Sequence, residues 1–225
     1  MKTRVLTATL LLAGLSGTAM ADVPWDVPNG MTNNFFYENG GSANGLFGSP
    51  TVLPDGTFLF NPTNFRAEQN GGPGADTIND QLFFDIIAKP NFNVTGVRLV
   101  EVGDYAISGD AQVNVGGGLF VTNLDFFAFD TDALVSTPGS PITTPTAGDT
   151  WTALAEVDLS DKTPAWNHIR IQLDNILSAI TNDANAAAFI EKKVVGGSVR
   201  IEIIPAPGAM SLLGLAGLAA IRRRR

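Results

Sequence analysis

The 225-residue chain carries 22 acidic and 14 basic side chains, one histidine and no cysteine, for a net charge of −8. The missing cysteine excludes disulfides, thiolate zinc sites, iron–sulfur clusters and thiol catalysis, so packing is expected to carry the stability. Two of the basic residues precede Asp22 and four follow Ile221, leaving eight against 22 acidic ones on the body, a net of −14 that repels nucleic-acid phosphate and anionic membrane faces but remains open to neutral sugars and divalent cations.

Residues 1–21 begin with Lys2 and Arg4, continue through an apolar stretch from Val5 to Leu15, and end in Ala19-Met20-Ala21. A basic start, a short hydrophobic region and an A-x-A ending are the layout of a secretory signal peptide, with Ala19 and Ala21 marking cleavage before Asp22.

Asp22 to Thr77 is dense in turn formers, among them Pro28-Asn29-Gly30, Asn39-Gly40-Gly41, Pro54-Asp55-Gly56 and Asn70-Gly71-Gly72-Pro73-Gly74. Glycine and asparagine accept positive φ and proline presets a corner, so short strands such as Thr51–Leu53 and Thr57–Phe60 are expected between turns. Trp25, Phe35-Phe36-Tyr37 and Trp166 lie in loop-like surroundings. There they serve either as core anchors, the favoured reading, or as exposed rings that stack on sugar faces.

From Asp80 onward a period of two dominates. Trp151, Ala153, Ala155, Val157 and Leu159 alternate with polar residues, as do Ile169, Ile171 and Leu173, then Val199, Ile201 and Ile203. This is the pattern of half-buried antiparallel strands. Gln81–Ala88, Val94–Val102 and Leu119–Phe129 are more continuously apolar and suit strands deeper in a core. Gly196-Gly197 predicts a tight hairpin between Phe189–Val195 and Val199–Ile204. The one helical candidate, Asp183–Lys193, overlaps that hairpin, and Ser136–Asp149 reads as a long exposed loop. Roughly ten short strands without an internal repeat predict an all-β fold, a single antiparallel sandwich of jelly-roll type over residues 22–204.

Chemistry is sparsely signalled. His168 stands without a G-x-S-x-G serine, no phosphate-cradling motif occurs, and Gly71–Gly74 lacks a strand before it and a helix after it. The many carboxylates offer no selected pair for glycoside hydrolysis. No catalytic, cofactor or metal residues are therefore assigned, although Asp125, Asp130 and Asp132 could hold a structural calcium ion.

The C-terminal 21 residues are organised in three parts: Pro205-Ala206-Pro207-Gly208, an uncharged run from Ala209 to Ile221, and Arg222-Arg223-Arg224-Arg225. As a helix the run would rise about 20 Å against a hydrocarbon core of roughly 30 Å, a deficit that arginines can offset by reaching toward the headgroups. The basic end belongs on the cytoplasmic side of the inner membrane. This tail resembles the PEP-CTERM sorting signal of exported bacterial proteins, with Ala206 where the family has glutamate. The resemblance implies processing by an exosortase-like membrane enzyme and a place in the cell envelope or extracellular polysaccharide matrix. The expected function is an exported, membrane-sorted structural or interaction module without catalysis. A carbohydrate-binding module is the first alternative and an envelope polysaccharide hydrolase the second.

Overall fold

The computed structural model describes residues 22–193 and 198–206. In chain order the strands are β1 (Val23–Pro24), β2 (Gly30–Met31), β3 (Phe35–Ser42), β4 (Thr51–Val52), β5 (Thr57–Phe60), β6 (Arg66–Asn70), β7 (Gly74–Ala88), β8 (Val94–Ser108), β9 (Ala111–Asn123), β10 (Phe129–Ala133), β11 (Val135–Thr137), β12 (Thr146–Asp158), β13 (His168–Thr181), β14 (Ala187–Glu191) and β15 (Val199–Pro205). They form two antiparallel sheets packed as a sandwich, and the described residues contain no helix. The first sheet runs β1-β3-β7-β13-β9-β10 with β2 against β3; the second runs β11-β12-β8-β15-β5-β4, with β14 bridging β8 and β6.

The long strands alternate between sheets along the chain: β7, β9 and β13 lie in the first, β8, β12 and β15 in the second. Each inward row is apolar, as in Ile169, Ile171 and Leu173 of β13 and Trp151, Ala153, Ala155 and Val157 of β12. Period-two patterning thus places one face of every long strand in a shared core. At one end of the sandwich Trp25, Tyr37, Phe58, Phe60 and Phe84 form an aromatic cluster, with ring centroids 4.5 Å apart for Phe58 and Phe84 and 5.3 Å for Trp25 and Phe84.

Several sequence expectations are corrected. Five strands run 13 to 15 residues, longer than the short strands expected. Leu119–Phe129 is not one strand. Asn123 Oδ1 accepts the Asp125 and Phe126 N–H groups at 2.8 and 2.9 Å, ending β9 in a side-chain-closed turn. The strands expected on either side of Gly196-Gly197 do not pair with each other: β14 and β15 lie end to end on the same edge of β8, opposite Asp104–Ser108 and Val94–Glu101 respectively, and Gly196-Gly197 itself lies outside the described residues. A 15-residue strand has edge enough for both partners. The helical candidate is a turn at Asp183, whose carboxylate accepts the Asn185 N–H at 2.7 Å, followed by β14. The supposed long loop shrinks to residues 138–145, since β11 and β12 take its ends, and Ile142 within it is buried and bridged to Val113. Gly71–Gly74 does follow a strand, β6, but leads into another strand rather than a helix.

Candidate functional site

The outer face of the first sheet presents the best-formed polar surface. Where β7, β13 and β9 run side by side, Gln172 lies opposite Phe83 on one neighbour and Phe120 on the other, and Asp174 lies opposite Gln81 and Gly118. Phe83 and Phe120 are half-buried. Each ring lies close to a glycine: a Cβ on Gly41 would stand 3.3 Å from the Phe83 ring, and one on Gly118 3.3 Å from the Phe120 ring. Both rings stand on the outward side of the sheet, flanking the Gln172 amide. The result is a phenyl–amide–phenyl row across three strands.

Beside that row is a hollow of about 400 Å3, whose walls include Asn44, Asn79, Gln81, Asp174 and Ile176. Its floor depends on Gly117, which has φ of 141° and where a Cβ would stand 2.0 Å from the Asp174 carbonyl oxygen. Only glycine fits there, and the missing side chain keeps the hollow open. Asp174 Oδ1 accepts from Gln81 Nε2 at 2.7 Å and from Gln172 Nε2 at 3.1 Å. Amides held in this way present fixed donors and acceptors for hydroxyl groups. Asp80, at the edge of the hollow, is committed elsewhere: its oxygens accept the backbone N–H groups of Asn44, Gln81 and Leu46 at 2.7 to 2.8 Å. It pins the segment after β3 and leaves the hollow without an opposed pair of uncommitted carboxylates.

The aromatic candidates divide. Trp25, Phe35, Tyr37 and Trp166 are core anchors, while Phe36 is exposed. More exposed still are Phe126, Phe127 and Phe129, by 60, 84 and 73 % at the β9–β10 turn. The sequence had placed them inside a strand. The outward parity of Phe83 and Phe120 within apolar runs was the available signal for the sheet face, but it also fits a buried strand.

The three calcium candidates are not gathered. Asp125 Oδ1 lies 3.1 Å from His168 Nδ1, Asp130 pairs with Lys162 at 2.7 Å, and Asp132 Oδ2 accepts the Glu156 N–H at 2.8 Å. Lys162 holds the Asp130 carboxyl below the usual carboxylate range. Among the described residues no cluster of three or more His, Asp or Glu could hold a metal ion.

Of the sorting residues, Pro205 ends β15 opposite Val94, and the Ala206 N–H donates to the Asn93 carbonyl at 2.9 Å. The body's second sheet thus runs directly into the tail motif. Pro207, Gly208, Arg222–Arg225, Ala19 and Ala21 lie outside the described residues. Among those that are described, no helix is long and apolar enough to cross a membrane.

No protein-family model matches this chain, and no curated protein matches it. Solved structures resemble it loosely. A carbohydrate-binding module, TmCBM61, solved with β-1,4-galactotriose, is 9% identical over 62% of this chain and 88% of that one, with a TM-score of 0.21. An infectious bursal disease virus structure, Gt strain, is 12% identical over 70% of this chain and 43% of that one, with a TM-score of 0.25. The subviral particle of VP2 from the same virus is 14% identical over 72% and 48%, with a TM-score of 0.19. Superpositions this loose say nothing about what this chain binds.

Proposed function

We propose that this chain is an exported, membrane-sorted module of the cell envelope or extracellular matrix, without catalytic chemistry, and that its body binds neutral polysaccharide on the outer face of the first sheet. One observation carries the binding part: the phenyl–amide–phenyl row of Phe83, Gln172 and Phe120 beside a hollow walled by amides and one carboxylate. Phenyl faces suit the C–H face of a pyranose and fixed amides suit its hydroxyls, while a body charge of −14 selects against anionic ligands. The export part is supported by the A-x-A ending at Ala21 and by the three-part tail from Pro205, whose exosortase-like partner and inner-membrane anchoring belong to the same proposal.

Titration of the purified chain against a panel of neutral and acidic glycans tests the binding. A neutral glycan should bind, and Asp174→Ala or Gln172→Ala should weaken it about 10- to 100-fold, the loss expected when fixed polar partners are removed, with little change in melting temperature. Binding that survives both substitutions, or that is confined to acidic glycans, overturns the site. The export part is read separately from the mass of the mature ends: loss of residues 1–21 and cleavage near Pro205–Gly208 is expected. An N-terminus at Met1 contradicts export, and an intact tail in the membrane fraction contradicts processing.

A further inference from the structure

Between the two sheets, three polar side chains meet at positions where strand alternation places apolar ones. Asn175 continues the inward row of Ile169, Ile171 and Leu173 on β13, and Glu101 continues that of Val97 and Leu99 on β8. Lys192 follows the inward Ala188 and Ile190 just past the end of β14. Glu101 is 0 %, Lys192 1 % and Asn175 2 % exposed. The Lys192 ammonium nitrogen Nζ donates to Glu101 Oε2. Asn175 Nδ2 donates to the same carboxylate, at 2.7 Å to Oε1 and 2.8 Å to Oε2. Asn175 Oδ1 is buried with no hydrogen-bond partner.

The enclosure is aromatic. Lys192 Nζ lies 5.2 Å from the centroids of both the Phe65 and the Trp151 rings. The Lys192 N–H is fixed to the Phe65 carbonyl at 2.9 Å, and Trp151 Nε1 donates to the Glu191 carbonyl at 3.2 Å. Gly103 makes this closure possible, since a Cβ there would stand 2.0 Å from the Glu191 carbonyl oxygen and 2.6 Å from Trp151 Nε1. Burial pushes the Lys192 amine well below its ordinary pKa, and Glu101 only partly offsets that. Desolvation disfavours the charged ammonium, so the neutral form of this amine is reached more readily than on an exposed lysine. A neutral, desolvated lysine amine is a nucleophile. The same carboxyl group touches both that amine and the amide nitrogen of Asn175.

We propose that Lys192 and Asn175 are joined by an intramolecular amide bond, which the folded chain forms by itself with Glu101 as proton shuttle. The lone pair of Nζ attacks Cγ of Asn175, and the carbonyl π pair moves onto Oδ1. It returns as the Cγ–Nδ2 bond breaks. Glu101 takes up the proton that Nζ sheds and delivers one to Nδ2, which leaves as ammonia. One C–N bond replaces another, so no oxidant or reductant is required. Loss of ammonia to solvent makes the step irreversible, and it occurs once per chain. The bond ties β13 of the first sheet to the end of β14 in the second, giving a cysteine-free chain a covalent staple across its core.

Peptide mapping of the purified full chain decides this. Combined digestion with trypsin and an aspartate-directed protease cuts before Asp174 and Asp183 and after Lys192 or Lys193. The proposal expects segment 174–182 to be recovered joined to segment 183–193, with Lys192 resistant to trypsin and the pair lighter by one ammonia than the sum of the two. Glu101→Gln, if folded by circular dichroism, should give the two segments separate. Separate segments from the unsubstituted chain overturn the proposal, including the case where Asn175 alone has lost ammonia by cyclising on its own backbone. A joined pair in Glu101→Gln overturns the role given to Glu101.

Discussion

Phe127 sits at the tip of the β9–β10 turn with φ of 54° and 84 % exposure. A phenylalanine in the left-handed region is strained, and this one gains little burial in return. Phe127→Gly should therefore stabilise the protein by about 0.5–1 kcal/mol, visible as a higher melting temperature. A drop instead would show that the ring rests on a surface that shields it. The core polar residues teach the opposite lesson about single positions. Glu101 and Asn175 are legible as anomalies, because they break apolar rows at core parity. Their partnership with Lys192 was not legible, since it joins residues 74 and 91 positions apart.

At the scale of strands, β9 shows how a glycine run shapes a surface. Gly116, Gly117 and Gly118 face Ile176, Asn175 and Asp174 of β13. A Cβ on Gly116 would meet only Ile176 Cγ2 at 3.6 Å, an ordinary contact, whereas one on Gly117 would collide with backbone. Gly116→Ala should thus change stability by less than about 0.5 kcal/mol, while Gly117→Ala should cost about 2–4 kcal/mol and close the hollow. Chemical denaturation of the pair tests this contrast, and equal effects would refute the close approach. The alternation that predicted β12, β13 and β15 was read correctly because period-two burial is a local property. The β14–β15 hairpin was misread because a Gly-Gly pair signals a turn but does not say which edge the following strand will join.

The whole molecule carries a strongly acidic body, and its carboxylates set its response to acid. Asp55 and Asp158 are held below the usual range by backbone N–H groups of Thr57 and Ser160, and Glu68 and Asp130 by the side chains of Arg66 and Lys162. A carboxylate with a lowered pKa in the folded state contributes stability that is complete above its unfolded value, near 4, and lost as pH falls through the folded value. The melting temperature should accordingly hold between about pH 7 and 5 and fall below about pH 4. The double substitution Glu68→Gln with Asp130→Asn should flatten that fall. A melting temperature that rises on acidification would mean that relief of charge repulsion outweighs these pairs.

The sequence by itself determined the all-β class, the inward rows of the sandwich, the acidity of the body and the exclusion of thiol chemistry. Each is a local or additive property, readable from alternation or from counts. Only the tertiary structure decided which strands share an edge, which rings are anchors, and which polar residues meet. Trp25 and Phe126 show why. Both stand near turn formers, and burial of one and exposure of the other follow from where the opposite sheet lies. The Phe83–Gln172–Phe120 row and the Lys192–Glu101–Asn175 cluster arise in the same way, from strands distant in sequence brought into register by a packed core.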